Sequence, residues 1–262
     1  MDEGGGMSTT LAFLGDFGKA FDYIFHARES QAGGAKVGGS ELWPLIWTHL
    51  KLTGLAMAIA MVISLPIGLA LGHSGRGAFA TISVSNVGRA VPSIALIAFF
   101  VAFFPTAPEW WTVTVALALL AIPPILTNAY VGVGQVDRDT VDAARGMGMS
   151  GGQIVRSVEL PLALPLIFGG IKTSTVNVIA TATIAPLVGV LTLGDPIISG
   201  SVHGRAGQIG ASLVVAFLAV VAELGLSAVQ RAVTPTGVKL EKGAGAPASR
   251  LRTLKRRIQT VP

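Results

Sequence analysis

Five runs of mainly apolar residues punctuate the chain, at residues 52–71, 85–104, 111–133, 162–190 and 209–229. A hydrocarbon layer about 30 Å thick needs roughly 20 helical residues at about 1.5 Å of rise apiece, and each run comes close to or exceeds that length. The apolar core of the second covers only residues 90–104, so its helix is placed to begin near Ser85. The fourth is longer than a span requires, and its first turns are expected to run along the interface before entering the membrane. The pattern predicts an all-α membrane protein with a five-transmembrane-helix core.

The polar stretches divide the rest. Residues 1–46 form a tail in which 11–25 repeat apolar side chains at helical spacing (Leu14, Phe17, Phe21 and Ile24 or Phe25) while carrying Asp16, Lys19 and Asp22. Such a helix is expected to lie on a surface rather than to span. Residues 33–40 are rich in glycine and read as a flexible linker. The transmembrane domain occupies residues 47–234, and residues 235–262 form a basic tail with too little apolar surface to fold, expected to lie disordered near anionic lipid. Between the third and fourth runs, residues 135–160 are nearly as long as a span yet polar and glycine-rich, which predicts two short helices in a loop.

Charge supplies an orientation. The segments 73–89, 135–160 and 231–262 carry thirteen Lys and Arg residues, against four (Lys19, Arg28, Lys36 and Arg205) on the other side. Cytoplasmic loops concentrate basic residues, so the C-terminus and the 135–160 loop are assigned to the cytoplasm and the N-terminus to the outside. Trp43, Trp47, Trp110 and Trp111 then mark outer boundaries, as an interfacial belt would.

Composition narrows the chemistry. With 51% hydrophobic and 13% charged residues in a chain of 262, the protein belongs in a lipid bilayer. The net charge of +5 is accounted for by membrane topology, so nucleic acid is not the expected partner. There is no cysteine, hence no disulfide, thiolate or zinc-thiolate chemistry. His26, His49, His73 and His203 show no metal-ligand spacing, and no nucleophile and base arrangement appears in the spans; catalytic residues, bound cofactors and metals are therefore expected to be absent. No phosphate-binding Gly-x4-Gly-Lys-Ser/Thr occurs, so any nucleotide chemistry belongs to another polypeptide. No basic segment leads into an apolar one at the N-terminus, which argues against a cleaved signal peptide.

The most ordered pattern lies in the 135–160 loop. Asp142-Ala143-Ala144 is followed after three residues by Gly148, and nine residues later by Val158-Glu159-Leu160-Pro161. Asp139 or Asp142 suits the first turn of a helix, where the dipole favours an acid. Ala143 and Ala144 would offer a flat surface to a partner's groove. Gly146, Gly148, Gly151 and Gly152 permit a sharp turn, and Leu160-Pro161 is expected to end the element, since proline cannot continue the hydrogen-bond ladder.

This spacing resembles the cytoplasmic Glu-Ala-Ala loop of permease subunits of bacterial ABC importers of the binding-protein-dependent type I class, with Asp142 for the Glu and Val158 for an Ile. The likeness extends over residues 47–235. The segments Val91-Pro92-Ser93-Ile94-Ala95-Leu96, Pro123-Pro124-Ile125-Leu126-Thr127-Asn128, Ala143-Ala144-Arg145-Gly146-Met147-Gly148-Met149-Ser150 and Leu187-Val188-Gly189 are similar to the osmoprotectant branch, which handles glycine betaine, choline, carnitine or proline betaine. The resemblance implies a second permease subunit, two ATPase subunits that bind ATP and Mg and dock on the loop at Asp142, Ala143, Ala144, Gly146, Gly148, Leu160 and Pro161, and a separate extracytoplasmic binding protein. It implies alternating access and no reaction catalysed by this chain.

Within the spans, polar residues are costly and face an interior or a water path. Ser174, Asn177, Thr181 and Ile184 follow one another on a helical stripe, flanked by Thr173 and Thr183. The stripe either lines the translocation path or dimer interface, or supplies hydrogen bonds between packed helices. Asn128, after Pro123-Pro124, is grouped with it as a path candidate but also suits the carbonyls freed by a proline kink. Lys172 and Glu223 are the two charges clearly inside the spans, at matching depth about two turns from the cytoplasmic face, and are expected to pair; independent snorkelling is the alternative. Pro66, Pro92 and Pro123-Pro124 suit kinked helices. The same machine with methionine or another amino acid as cargo is the nearest rival. An ion-gradient-driven secondary transporter is a rival of another class, but it needs intramembrane carboxylates, and Glu223 is the single candidate.

Overall fold

The structure, a computed structural model, describes residues 4–77, 79, 81, 83, 86, 88 and 90–235. Helix α1 (Gly4–Phe25) leads into an antiparallel two-residue pair, β1 (Arg28–Glu29) and β2 (Lys36–Val37), and a 3₁₀ turn at Gly39–Glu41. Then come α2 (Leu42–Ser74), α3 (Ser93–Phe103), α4 (Glu109–Gly134), α5 (Arg138–Gly146), α6 (Gly151–Ile154), a π-helical turn (Val155–Glu159), α7 (Leu160–Thr181), a 3₁₀ segment (Ala182–Val188), α8 (Gly194–Ile198) and α9 (Gly200–Val233).

The chain is an all-α membrane protein, and four of its helices, α2, α4, α7 with its flanking turns, and α9, have the length and apolarity to cross a bilayer. Helix α3 is apolar but has 11 residues, about 16 Å of helix, half a hydrocarbon layer. The described residues therefore give four full spans and a shorter helix, where five spans were expected; part of the expected second span lies outside them. A break at Val91 and Pro92 precedes α3, because a residue before proline is pushed out of the helical region.

Helix α4 is the central helix, enclosed by α2 on one side and α7 on the other. Leu52, Ala56 and Ala60 of α2 meet Val113, Leu117, Ala121 and Ile125 of α4 and Ala163, Ile167, Ile171 and Val178 of α7 in one buried cluster. Lipid tails are as apolar as leucine, so close packing rather than water exclusion holds such helices together, and small residues permit it. At Gly68 an added Cβ would lie 2.6 Å from the Ala129 Cβ, and at Gly72 2.7 Å from that of Val133. These glycines, one turn apart, seat α2 on α4. Ser64 Oγ of α2 donates to the Ile122 carbonyl at 3.3 Å and Ser174 Oγ of α7 to the Ala121 carbonyl at 2.9 Å, both beside the Pro123-Pro124 pair inside α4.

Three local expectations are corrected. Helix α7 ends at Thr181, short of residue 190, and the surplus length lies beyond it in the 3₁₀ segment, where Pro186 has no N–H for an α-helical bond. Residues 33–40 are not a slack linker. Gly33, Gly34, Gly38 and Gly39 all take positive φ in tight turns, and a Cβ on Gly38 would meet the Tyr23 carbonyl at 2.5 Å, which seats the second turn against the end of α1. Finally, α1 is docked on α9 through buried Ala20 and Tyr23, which face Gly207 and Gly210; Ile24 of the expected apolar stripe also meets Gly210, while Phe21 and Phe25 are exposed. The glycine face of α9 selects the side of α1 that packs. The basic tail expected to be disordered, from residue 236 on, lies outside the described residues.

Candidate functional site

The loop between α4 and α7 is a compact unit built by helix-stop and helix-start signals. The Asp137 carboxylate caps α5 by accepting from the Asp139 N–H at 2.7 Å. Asp139 occupies the first turn. Asp142 lies a turn further on and pairs with Arg145 at 3.2 Å, both exposed, a contact worth under about 1 kcal/mol. Val141 and Ala144 turn inward onto Val136 and Ile154 to make a small core of the loop's own. Thus Ala144 is buried and Ala143 alone of the two presents a free surface.

Helix α5 ends in a Schellman arrangement. The Gly148 N–H donates to the Arg145 carbonyl at 2.9 Å and the Met149 N–H to that of Ala144 at 3.2 Å, with Gly148 at φ 83°. A Cβ on Gly146 or Gly148 would meet nothing within 4 Å. Gly148 is therefore demanded by backbone conformation, and any size limit at Gly146 would come from a partner. Met147, between them, is 76% exposed, a large apolar side chain at the tip of the loop. Ser150 then starts α6 through a capping box, its N–H donating to Gln153 Oε1 at 2.7 Å and its hydroxyl accepting from the Gln153 N–H. The Ser-x-x-Gln spacing is the sequence signature of this cap.

Leu160 and Pro161 do not terminate the element, contrary to expectation; they open α7, with Pro161 in its first turn. The helix passes from α6 into α7 through the π turn, in which the Leu160 N–H reaches the Val155 carbonyl. Pro161 has no N–H to give the preceding turn, so the widened turn costs no further hydrogen bond there.

Sequence reasoning gave no role to Glu159 or His73, yet Glu159 is 2% exposed, and His73 Nδ1, in the last turn of α2, lies 2.8 Å from its Oε2. A buried carboxylate must be paired. The one signal available was an acid between Val158 and Leu160; the 86-residue separation from its partner concealed the rest.

The structure divides the polar stripe of α7. Ser174 is buried and bonds to α4. Asn177 and Thr181 line a cavity of about 550 Å³ together with Ser93, Pro123, Pro124 and Thr173. Asn128 is not among them: its Nδ2 donates to the Pro124 carbonyl at 2.8 Å, within its own helix. Lys172 Nζ lies 3.7 Å from Glu223 Oε1 and 3.4 Å from Ser227 Oγ, tying α7 to α9. The pair borders a recess of about 440 Å³ that shares Thr173 and Asn177 with the larger cavity. Lys172 is twelve residues past Leu160 and Glu223 ten before Val233, about 18 and 15 Å along their helices.

The sequence matches the family described as "Binding-protein-dependent transport system inner membrane component" over residues 63–236. It is 34% identical to the glycine betaine/carnitine/choline transport system permease protein OpuCB of Bacillus subtilis (strain 168), over 78% of this chain and 94% of that one. It is 33% identical to the choline transport system permease protein OpuBB of the same organism, over the same shares. Among solved structures, an inward-facing conformation of the MetNI methionine ABC transporter matches with a TM-score of 0.66 at 23% identity, covering 74% of this chain and 96% of that one, which speaks for the fold. Fold and sequence agree over most of the chain, and it belongs to the family of binding-protein-dependent transport system inner membrane components, as a non-catalytic permease subunit of an ABC transporter.

Proposed function

We propose that this chain is the permease subunit of an ATP-driven importer of a compatible solute or quaternary-ammonium compound, with glycine betaine, carnitine and choline as the cargoes to test. The observation that carries the cargo is the likeness, over nearly the whole length of the relatives, to permeases named for these compounds. The methionine transporter is matched at 23% identity and supports the shared fold rather than that cargo. In this reading ATP and Mg are held by a separate ATPase, a second permease subunit completes the path, and a separate receptor delivers the solute outside. The distribution of Lys and Arg supports an N-terminus outside and a cytoplasmic α5 to α6 loop.

The loop is the coupling element. Asp142, Ala143, Gly146 and Met147 form its outward face, and Ala144, Gly148, Leu160 and Pro161 hold that face in shape. ATP-driven closure of the partner subunits displaces the loop and, with it, the base of α7, reorienting the spans. The cavity walled by Thr173, Asn177 and Thr181, with the Lys172 and Glu223 recess beside it, contributes this subunit's half of the translocation path or of its interface with the second permease. Asn128 supports α4 from behind.

The test is co-purification with the ATPase encoded alongside it, comparing wild type with Gly148→Asp, followed by ATP-dependent uptake of labelled glycine betaine and choline in the presence of the receptor. Association that Gly148→Asp weakens, and uptake that needs ATP, are expected. Uptake driven by an ion gradient with no associated ATPase would refute the reading and turn attention to Glu223.

A further inference from the structure

Two histidines of α2, His49 two turns inside its start and His73 in its last turn, bond to α7 and to the π turn that precedes it. At the loop end, His73 Nδ1 meets Glu159 Oε2 at 2.8 Å. At the other end, His49 Nε2 lies 3.0 Å from the Ile179 carbonyl, two residues before α7 gives way to the 3₁₀ segment. A carbonyl accepts only, so Nε2 carries the proton there. Towards the His49 end a recess of about 360 Å³ opens between Thr53, Met57 and Met61 of α2 and Ile171, Thr175 and Ile179 of α7, with α9 forming its third wall.

The tie at the loop end is placed to carry motion. Glu159 is the last residue of the π turn that links the loop to α7, and His73 closes α2 one residue beyond Gly72, which is seated on α4. The other ring nitrogen, His73 Nε2, would lie 3.2 Å from a Cβ on Gly151, the first residue of α6. One imidazole is therefore paired with the end of the segment from Gly151 to Glu159 and adjoins its start. A displacement of that segment cannot leave α2 behind unless a buried carboxylate loses its partner, which is costly in a water-poor setting.

We propose that His73 and Glu159 are the positioning pair through which the coupling element moves α2 together with α7, so that both helices respond to the ATPase as one body. This rests on the coupling-loop reading above. The pair touches neither cargo nor nucleotide; it converts loop displacement into movement of the spans.

The test uses the complete transporter, with ATPase and receptor, in liposomes, and reads labelled glycine betaine imported per ATP hydrolysed. His73→Ala and Glu159→Ala are expected to retain the ATPase and hydrolyse ATP within about two-fold of wild type, while importing at least ten-fold less solute per ATP. Glu159→Gln preserves volume and one hydrogen bond and is expected to lose two- to three-fold. The exchange His73→Glu with Glu159→His is expected to recover at least half of the wild-type ratio. A ratio unchanged in Glu159→Gln and the alanine variants overturns the proposal, as does no recovery in an assembled exchange variant. Should the alanine variants not assemble, Glu159→Gln decides alone. A wild-type chain that binds no ATPase would remove the coupling reading itself, and this inference with it.

Discussion

The close seating of α2 on α4 makes a quantitative prediction for Gly68→Ala and Gly72→Ala. The added Cβ at Gly68 would sit 2.6 Å from the Ala129 Cβ and 3.0 Å from the Leu126 carbonyl oxygen; at Gly72 it would sit 2.7 Å from the Val133 Cβ and 2.9 Å from the Tyr130 carbonyl oxygen. Carbon atoms in comfortable contact stand about 3.5–4.0 Å apart, so the helices must part by about 1 Å. The obstacles include backbone and Cβ atoms, which rotamer changes cannot move. Overpacking of this kind costs about 1–3 kcal/mol per site. Both glycines lie on one seam, so a separation that relieves one partly relieves the other, and the double variant should cost less than the sum. For a chain of this size 1 kcal/mol corresponds to roughly 2–4 °C in Tm, giving a fall of about 2–12 °C for either single variant. Gly54→Ala on α2 and Gly225→Ala on α9 are the controls, since a Cβ there meets nothing within 4 Å and alanine is the better helix former. Thermal unfolding in detergent, followed by fluorescence of the four tryptophans, separates the two classes. If Gly68→Ala and Gly72→Ala unfold within 1 °C of Gly54→Ala, the account of this seam is wrong.

Three further outcomes are expected. Burial pushes the Tyr23 phenol up to about 12, against the opposing pull of Arg28 and with a smaller push from Asp195; the folded-state value lies above the unfolded one, so its contribution to α1 docking is intact below about pH 10 and fades as pH rises towards 12. Phenolate absorbance in a Tyr130→Phe background should show a midpoint near 12, and one near 10 would mean that Tyr23 is not enclosed against α9. Ser174→Ala, which removes a hydrogen bond between helices, should lower stability by about 0.6 kcal/mol and spare uptake, whereas Asn177→Ala should cut uptake several-fold with Tm unchanged; the reverse pairing would reverse the assignment of the α7 face. Lys172→Glu sets two carboxylates against each other and should reduce recovery of folded protein, with Glu223→Lys added to it restoring recovery; no rescue would mean that each charge is solvated on its own.

What was legible in the sequence was what short-range chemistry determines. Stop and start signals for α5 and α6 lie within a few residues of one another, so the loop's extent could be read from spacing. Counting along two helices set Lys172 and Glu223 at comparable depth, though how deep depended on where α7 and α9 end. The direction of a side chain was harder. Ser174 and Asn177 share a stripe, but only the position of α4 turns one inward and leaves the other facing a cavity. Ala143 and Ala144 were read together as one surface, and Ile154 divides them by drawing Ala144 into the loop's core. The fate of Pro161 could not be read either, since a π turn upstream lets the helix continue through a residue that ordinarily marks its end.

The long-range ties escaped for a related reason. An apolar partner is announced by periodicity, because many positions must agree; a single polar pair leaves no period. His73 meets Glu159 across 86 residues, His49 meets Ile179 across 130, and Tyr23 meets His203 across 180. Each involves a residue near the end of a helix, His73 in α2, Ile179 in α7 and Tyr23 in α1, where the backbone leaves groups unpaired and neighbouring elements converge. Helix ends in this bundle are also where force must enter and leave if spans move as rigid bodies. Packing of small residues along α2 and α4 keeps those helices in register, while polar ties at their ends decide which neighbour follows when one of them is displaced. In the proposed reading the exposed face at Asp142, Ala143, Gly146 and Met147 takes the ATPase while buried Glu159, at most seventeen residues further on, holds α2, so one short segment joins the partner to the spans.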